Sequence, residues 1–233
     1  MKLAKALGIP AMALCVLLST GCSSWTNTGK GAAIGGGGGA ALGAGLGALI
    51  GGGKGAAIGT AIGAAVGTGA GVLIGKKMDK QQAQLEQELG NQAKVEQTTD
   101  ANGLQAIKVT FDGGILFPTN GTSLSPQAQA DLSSFANSLK SNPNTNVQIF
   151  GFTDNTGAMA VNERVASGRA ASVLSYLANS GVSPTRLSSQ GIPMADYVAS
   201  NETAAGRAQN RRVEIYITAD KNMIQQAEAG TLQ

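Results

Sequence analysis

The pattern of apolar and polar positions separates a glycine-rich, largely apolar first part from a second part with helix and strand periodicities. Residues 107–111 alternate as a half-buried strand does, and residues 115–117 predict a second short strand. A helix is predicted from Ser125-Pro126 to about residue 142, because proline is favoured at the first helical position and apolar residues then recur at helical spacing. The packed part of the chain therefore begins with two strands and a helix.

Further along, helical and strand patterns alternate up to about residue 218. The predicted elements are strands near 147–153, 186–191 and 213–217, and helices near 159–178 and 203–208. The order β-β-α-β-α-β-α-β favours an α+β fold, a two-layer α/β sandwich, for residues 103–218. Residues 219–233 are predicted to be a loose polar tail.

A glycine array occupies residues 31–75, with glycine at every fourth position. Each four-residue step advances about 40° around an α-helix, so one straight helix cannot keep these glycines on one face. Division near Lys54 leaves two pieces of bilayer-spanning length, which predicts a glycine-zipper helical hairpin associated with the membrane. A disordered Gly/Ala spacer, or a glycine-rich layer packed on the protein's own domain or on copies of itself, are the alternatives.

The segments on either side of the array have different patterns. Residues 1–21 read as a signal peptide, with Lys2 and Lys5 before a short apolar run. The run ends at Cys22 in a sequence that resembles a bacterial lipobox, which implies acylation (palmitate) of Cys22, a lipid-anchored tether over 22–30 and sorting to the outer membrane. Residues 76–102 are predicted to be a polar helix or linker that Gly90 interrupts.

Composition excludes several classes of function. The chain contains no histidine, which excludes a Ser-His-Asp triad, a Cys-His pair and any His-ligated metal. Removal of Lys2 and Lys5 with the signal peptide leaves nearly balanced charge, which argues against nucleic acid as a partner. No motif predicts an enzyme, a cofactor or a metal site.

Candidate chemistry lies where the third strand ends. Thr153-Asp154 follows that strand, and strand-end loops often carry binding groups. Asn162 and Arg169 are seven residues apart, nearly two helical turns, and so share a helix face. A negative and a positive group would then flank one cleft. The alternative is that Asp154 and Arg169 simply pair with each other, as surface charges commonly do.

Several motifs in this region resemble the OmpA-like C-terminal domain over about 105–218. They are Gly151-x-Thr153-Asp154-x-x-Gly157, Asn162, Arg169-Ala170-x-x-Val173, Gly181-Val182 and Asn210-Arg211-Arg212-Val213-Glu214. The resemblance implies noncovalent binding of peptidoglycan through the diaminopimelate of its stem peptide. The loop at 192–201 departs from the family pattern, which predicts a different shape there.

The resemblance also implies roles for individual residues. Asp154 would hold the ligand's ammonium and Arg169 its carboxylate, a pairing that suits a small zwitterion. Thr153 and Asn162 would add neutral hydrogen bonds, and Arg212 would lie near the floor of the site. Asn162 could instead be a helix-surface residue or cap, and Arg212 an outward charge on the last strand.

Taken together, these features predict a periplasm-facing outer-membrane lipoprotein that tethers the envelope to the cell wall. The alternative is a membrane-active glycine-zipper oligomer, a pore or scaffold, which the wall-binding domain only positions. Small-residue faces of this kind also suit homo-oligomers.

Overall fold

The computed structural model describes residues 68–118 and 121–233, which form one five-stranded sheet and the helices packed on it. The strands are β1 (Ala93–Thr99), β2 (Gln105–Asp112), β3 (Thr145–Phe152), β4 (Leu187–Ile192) and β5 (Arg212–Ala219). The helices are α1 (Thr68–Leu89), α2 (Gly113–Leu116), α3 (Pro126–Ser141), α4 (Met159–Asn179), α5 (Ala204–Asn210) and α6 (Lys221–Glu228).

The sheet has the order β1-β2-β5-β3-β4, in which only β3 and β4 are parallel neighbours. Alternate residues of the central strands, such as Val109, Ile149 and Ile215, are fully buried against apolar side chains of the helices, such as Phe135 and Leu177. The predicted α+β class and two-layer arrangement are therefore confirmed.

Four strand ends meet at one edge of this sheet. β2 ends at Asp112, which pairs with Arg212 at the start of β5. β3 and β4 end at Phe152 and Ile192, which pair with each other. Four segments therefore meet at this edge: those that follow β2, β3 and β4, and the one that precedes β5. Asp154 lies in the segment that follows β3.

The first two strands differ from the sequence-based prediction. The strand predicted at 115–117 is wrong, because α2 occupies Gly113–Leu116, with Asp112 Oδ1 accepting from the Gly114 N–H at 2.7 Å. A short apolar run is ambiguous between helix and strand. Here it forms a helical turn, which places Leu116 and the residue after the turn, Phe117, in the core. The extra strand is β1, an edge strand of mostly polar residues within the segment predicted as helix or linker.

Helix α1 joins the end of the glycine array to the polar segment without a break. It ends at Leu89, and Gly90 follows with a φ of 51°, as a residue just past a helix end often does. Ala70, Ile74 and Met78 of α1 are buried in the domain core. For residues 68–75, the alternative in which the array packs on the protein's own domain is therefore the one observed.

The rest of the predicted hairpin, the signal peptide, Cys22 and the tether lie outside the described residues. Within the ranges that are described, no helix is both long and apolar enough to cross a membrane.

The predicted loose tail is wrong, because α6 packs on the domain. Asp220 caps this helix by accepting from the Met223 N–H at 2.7 Å. Met223, Ile224 and Ala227 are buried in the core, on one side of the helix. Their spacing is helical, but only the contact with α1 and β5 supplies the apolar surface that makes so short a helix stable.

Two paired glycines bring α4 onto the sheet. Gly151 of β3 lies opposite Gly191 of β4. A Cβ at Gly151 would lie 2.3 Å from the Ala166 carbonyl oxygen, and one at Gly191 would lie 2.5 Å from the Ser167 nitrogen. The α4 backbone therefore contacts the sheet three residues before Arg169, and this close approach sets the position of that side chain.

Candidate functional site

Asp154 is a buried carboxylate at the converging strand ends. Its side chain is 6% exposed and accepts hydrogen bonds from the Thr156 N–H at 2.9 Å, from the Thr156 hydroxyl, and from Arg211 Nη1 at 2.6 Å. Burial by itself raises the pKa of the Asp154 carboxyl, but these hydrogen bonds and the charge of Arg211 outweigh burial and hold the pKa below its ordinary value. The carboxylate is therefore ionised at neutral pH.

Arg169 is a buried guanidinium on α4. Its Nε donates to the Gly121 carbonyl at 3.0 Å, and its guanidinium carbon lies 5.2 Å from the centroid of the Phe117 ring. Burial lowers the pKa of Arg169, the charge of Arg211 lowers it further, and Asp154 opposes both. Neither terminal nitrogen of Arg169 has a hydrogen-bond acceptor among residues 68–118 and 121–233. A bound carboxylate would supply acceptors and favour the charged form.

The partner of Asp154 is Arg211, a residue that sequence reasoning did not select for the site. The alternative in which Asp154 simply pairs with Arg169 is not what the structure shows. The side chain of Arg211 is 42% exposed, and its carbonyl accepts from the Gly113 N–H at 2.8 Å. Arg211 lies in the Asn210-Arg211-Arg212 motif, but it is 57 residues from Asp154 in the sequence. No local pattern could therefore predict that the two residues pair.

Thr153 and Asn162 hold the loops beside Asp154. The Thr153 hydroxyl accepts from the Met194 N–H at 3.0 Å, which joins the end of β3 to the segment after β4. Asn162 Nδ2 donates to the carbonyls of Thr156, at 2.8 Å, and Ala158, at 3.2 Å. Both side chains are buried, so their observed contacts position the Asp154 loop.

Arg212 is buried, and its donors are largely used within the protein. It donates to Glu214 Oε1 at 2.7 Å and to the Asp196 carbonyl at 2.9 Å, and its guanidinium lies 3.8 Å from the centroid of the Phe152 ring. The alternative of an outward charge on the last strand is therefore wrong. Arg212 supports the strand end and the loop after β4, and the more exposed Arg211 faces Asp154.

The arrangement offers a buried negative group, Asp154, and a buried positive group, Arg169, and the charge of the first acts on the second. Its chemistry fits a zwitterion whose ammonium meets Asp154 and whose carboxylate meets Arg169, since guanidinium groups bind carboxylates through two parallel hydrogen bonds. Among the described residues, no group of acidic, histidine or cysteine side chains is placed to hold a metal ion.

Comparison with known families gives two matches along the chain. Residues 116–211 match the OmpA family, and residues 1–79 match the YMGG-like Gly-zipper family. The first match contains Asp154, Arg169 and Arg211, and the second contains the glycine array and the first half of α1.

Two curated relatives illustrate the similarity. The protein named Probable lipoprotein YiaD, of Escherichia coli K12, is 38% identical over 142 residues, which are 60% of this chain and 63% of that protein. The peptidoglycan-binding protein ArfA of Mycobacterium tuberculosis is 39% identical over 112 residues, or 48% of this chain and 34% of ArfA. The chain thus spans less than two thirds of each relative's length.

Two solved structures share the fold. The cell wall anchor of the T6SS from Pseudomonas aeruginosa is 27% identical with a TM-score of 0.51, over 58% of this chain and 97% of that one. A MotB-like protein from Desulfovibrio vulgaris is 24% identical with a TM-score of 0.54, over 64% and 94% of the two chains. The second similarity shows the fold alone.

Proposed function

Because the chain carries an OmpA-family domain, we propose that it binds peptidoglycan noncovalently and that Asp154 and Arg169 take the diaminopimelate of the stem peptide. The observation that carries this proposal is the buried, ionised Asp154 carboxylate, whose charge acts on the buried Arg169 guanidinium. The terminal nitrogens of that guanidinium have no acceptor among residues 68–118 and 121–233. The side chain of diaminopimelate ends in an ammonium and a carboxylate on one carbon, and these two groups complement the pair. ArfA, a relative over this region, is named for peptidoglycan binding.

We further propose that the chain is an outer-membrane lipoprotein that links its lipid anchor to the wall. The path of α1 supports such a tether. Gln105, the first residue of β2, donates to Asp79 of α1 at 2.6 Å, whereas the site lies beyond the other end of β2. A 22-residue helix is about 33 Å long, and β1, which follows it, starts opposite Phe111 at the site end of β2, so Thr68, the first residue of α1, lies toward the end of the domain away from the site.

The test is retention of the full chain, purified in mild detergent, on isolated peptidoglycan sacculi. We expect free meso-diaminopimelate to compete for the chain and lysine to compete far less, because lysine lacks the carboxylate beside its side-chain ammonium. Co-sedimentation measured at increasing competitor concentration distinguishes the two amino acids. No retention on sacculi would overturn wall binding, and equal competition by lysine would overturn the assignment of Arg169 to a carboxylate.

The role of Arg211 leads to a prediction about pH. The lowered pKa of Asp154 keeps its carboxylate ionised at pH values below the ordinary pKa of about 3.9. Binding of an ammonium should therefore be lost only as the pH falls through this lowered pKa. In Arg211→Gln, burial of Asp154 is less compensated and its pKa rises, so the acid limb of binding should move to higher pH. Calorimetric titration with diaminopimelate across acidic pH measures this limb.

The matched control for Arg211→Gln is Arg164→Gln, which removes an exposed arginine from α4. It should leave the acid limb in place. Circular dichroism at each pH confirms that all three proteins remain folded. An acid limb that is the same in Arg211→Gln and the unchanged chain would show that Arg211 does not hold the charge of Asp154.

A further inference from the structure

A polar groove lies between α4 and the start of α3, with the segment just before α3. Its volume is about 420 Å³, which falls within the roughly 300–1,000 Å³ that is typical of small-molecule sites. None of the described side chains that line it is charged, and its polar lining consists of Ser123, Gln129, Ser172, Ser175, Tyr176 and Asn179. We call it the α4 groove.

The α4 groove begins beside Arg169. Ser172 is three residues after Arg169 on α4, a spacing that places both residues on one face of the helix. Ser123, on the opposite wall, is two residues after Gly121, whose carbonyl accepts from Arg169 Nε at 3.0 Å. From there the groove follows the C-terminal half of α4, whereas Asp154 precedes the helix. A ligand held by Asp154 and Arg169 therefore has the groove on its Arg169 side.

Contacts within the protein hold the two walls of the α4 groove together. Gly168 has no side chain, and a Cβ there would lie 2.9 Å from Thr122 Cγ2, so α4 and the segment before α3 approach closely at this point. Further along, the Tyr176 hydroxyl donates to the Gln129 carbonyl at 2.6 Å. Because these contacts need no ligand, the groove is formed in advance, which lowers the entropic cost of binding.

The lining of the α4 groove suits a neutral ligand that carries hydroxyl and amide groups. The serine hydroxyls and the amides of Gln129 and Asn179 can donate and accept hydrogen bonds, and Leu124 and Ala171 add apolar surface. An N-acetylated amino sugar presents hydroxyls, an amide and a methyl group, so it complements this lining. A carboxylate would find no positive charge among these lining residues.

We propose that the α4 groove binds the N-acetylated sugar to which the stem peptide is attached. This inference rests on the proposed function, because it extends the ligand held by Asp154 and Arg169. Diaminopimelate is the third residue of the stem, so two residues, which span about 7 Å when extended, separate it from the sugar. Ser175 and Asn179 lie six and ten residues past Arg169, or about 9 and 15 Å along α4. The carbon chain of diaminopimelate adds its own length, so the sugar reaches this part of the groove.

The experiment compares two ligands on the full chain, purified in mild detergent, by calorimetry. One is the free stem tetrapeptide, L-alanine, D-glutamate, diaminopimelate and D-alanine, and the other is the same peptide attached to its disaccharide of N-acetylglucosamine and N-acetylmuramic acid. A net gain of two hydrogen bonds corresponds to about fivefold to thirtyfold in affinity, so we expect the disaccharide peptide to bind more tightly by this factor. In the variant Ser175→Leu, Asn179→Leu, this preference should vanish while the free tetrapeptide binds as before, because both residues lie in the part of the groove assigned to the sugar.

The matched control is the variant Ser133→Leu, Asn137→Leu on α3. It makes the same two replacements at the same spacing, at exposed positions outside the groove, and it should keep the preference for the disaccharide peptide. Equal affinity of the unchanged chain for the two ligands would overturn the proposal, as would a preference that survives in the Ser175→Leu, Asn179→Leu variant or is lost in the control. Failure of the unchanged chain to bind either ligand would instead overturn the proposed function.

Discussion

Replacing Arg169 by glutamine is expected to abolish retention of the chain on peptidoglycan sacculi. The guanidinium is buried, its Nε is committed to the Gly121 carbonyl, and its terminal nitrogens are the donors that a ligand carboxylate would meet. Loss of one partner of a buried charge pair costs about 2–5 kcal/mol, which corresponds to a weakening of about 30-fold to several thousandfold. Co-sedimentation over a range of sacculus concentrations measures this loss.

The complementary change, Asp154→Asn, should weaken binding to a similar extent. It removes the negative charge that faces the ligand's ammonium and leaves the shape of the side chain almost unchanged. It also leaves Arg211 without its ion-pair partner, so a neutral site with an extra positive charge would repel an ammonium. Calorimetry with free diaminopimelate shows whether the loss occurs at the site itself.

Glu163→Gln and Arg164→Gln are the matched controls for these two changes. Both residues are exposed on the first turns of α4, close in sequence to Asp154 and Arg169. We expect both control variants to bind sacculi as the unchanged chain does. Thermal unfolding of all four variants separates lost binding from lost folding. Retained binding in folded Asp154→Asn and Arg169→Gln would disprove the site assignment.

Replacing Gly151 by alanine is expected to lower both stability and binding. The added Cβ would lie 2.3 Å from the Ala166 carbonyl oxygen, so α4 and β3 must move apart. Overpacking of this kind costs about 1–3 kcal/mol of the free energy of unfolding. Arg169 lies one helical turn beyond Ala166, so this displacement moves the guanidinium relative to Asp154 and should weaken binding even in the folded fraction.

Gly69→Ala is the control for Gly151→Ala. Gly69 lies in α1, is exposed, and has open space where a Cβ would be added. Alanine is a better helix former, so the free energy of unfolding should stay the same or rise by up to about 1 kcal/mol. Urea unfolding and sacculus binding are measured for both variants. If the Gly151→Ala variant is as stable as the unchanged chain and binds sacculi as well, the close approach of α4 to the sheet is contradicted.

The α+β class and most of the central elements could be predicted because their patterns are local and strong. β3, α4 and β5 each carry apolar residues at the spacing of their own secondary structure, and Gly90 ends α1 where expected. The misplaced strand at 115–117 and the unrecognised β1 have one cause. Short or polar segments take their structure from neighbouring elements, and those neighbours are distant in the sequence.

For the candidate site, the sequence placed Asp154 after a strand and Arg169 on the face of the following helix. Spacing alone left open whether the two charges pair, and it did not distinguish Arg211 from Arg212. Arg211 caps the end of α5 and Arg212 is the first residue of β5, so only the way the chain turns from this helix into the strand decides which arginine meets Asp154. The structure shows that Arg211 does, while Arg212 donates to Glu214.

By itself, therefore, the sequence determined the periodic elements, the glycine array and the two charged residues proposed for ligand binding, because each depends on residues close together in the chain. Tertiary structure alone decided that the end of the array packs on the domain, that the last residues form a packed helix, and that Arg211 neutralises Asp154. The physical reason is that burial and ion pairing depend on contacts between residues that are far apart in the sequence, and no local pattern of residues specifies those contacts.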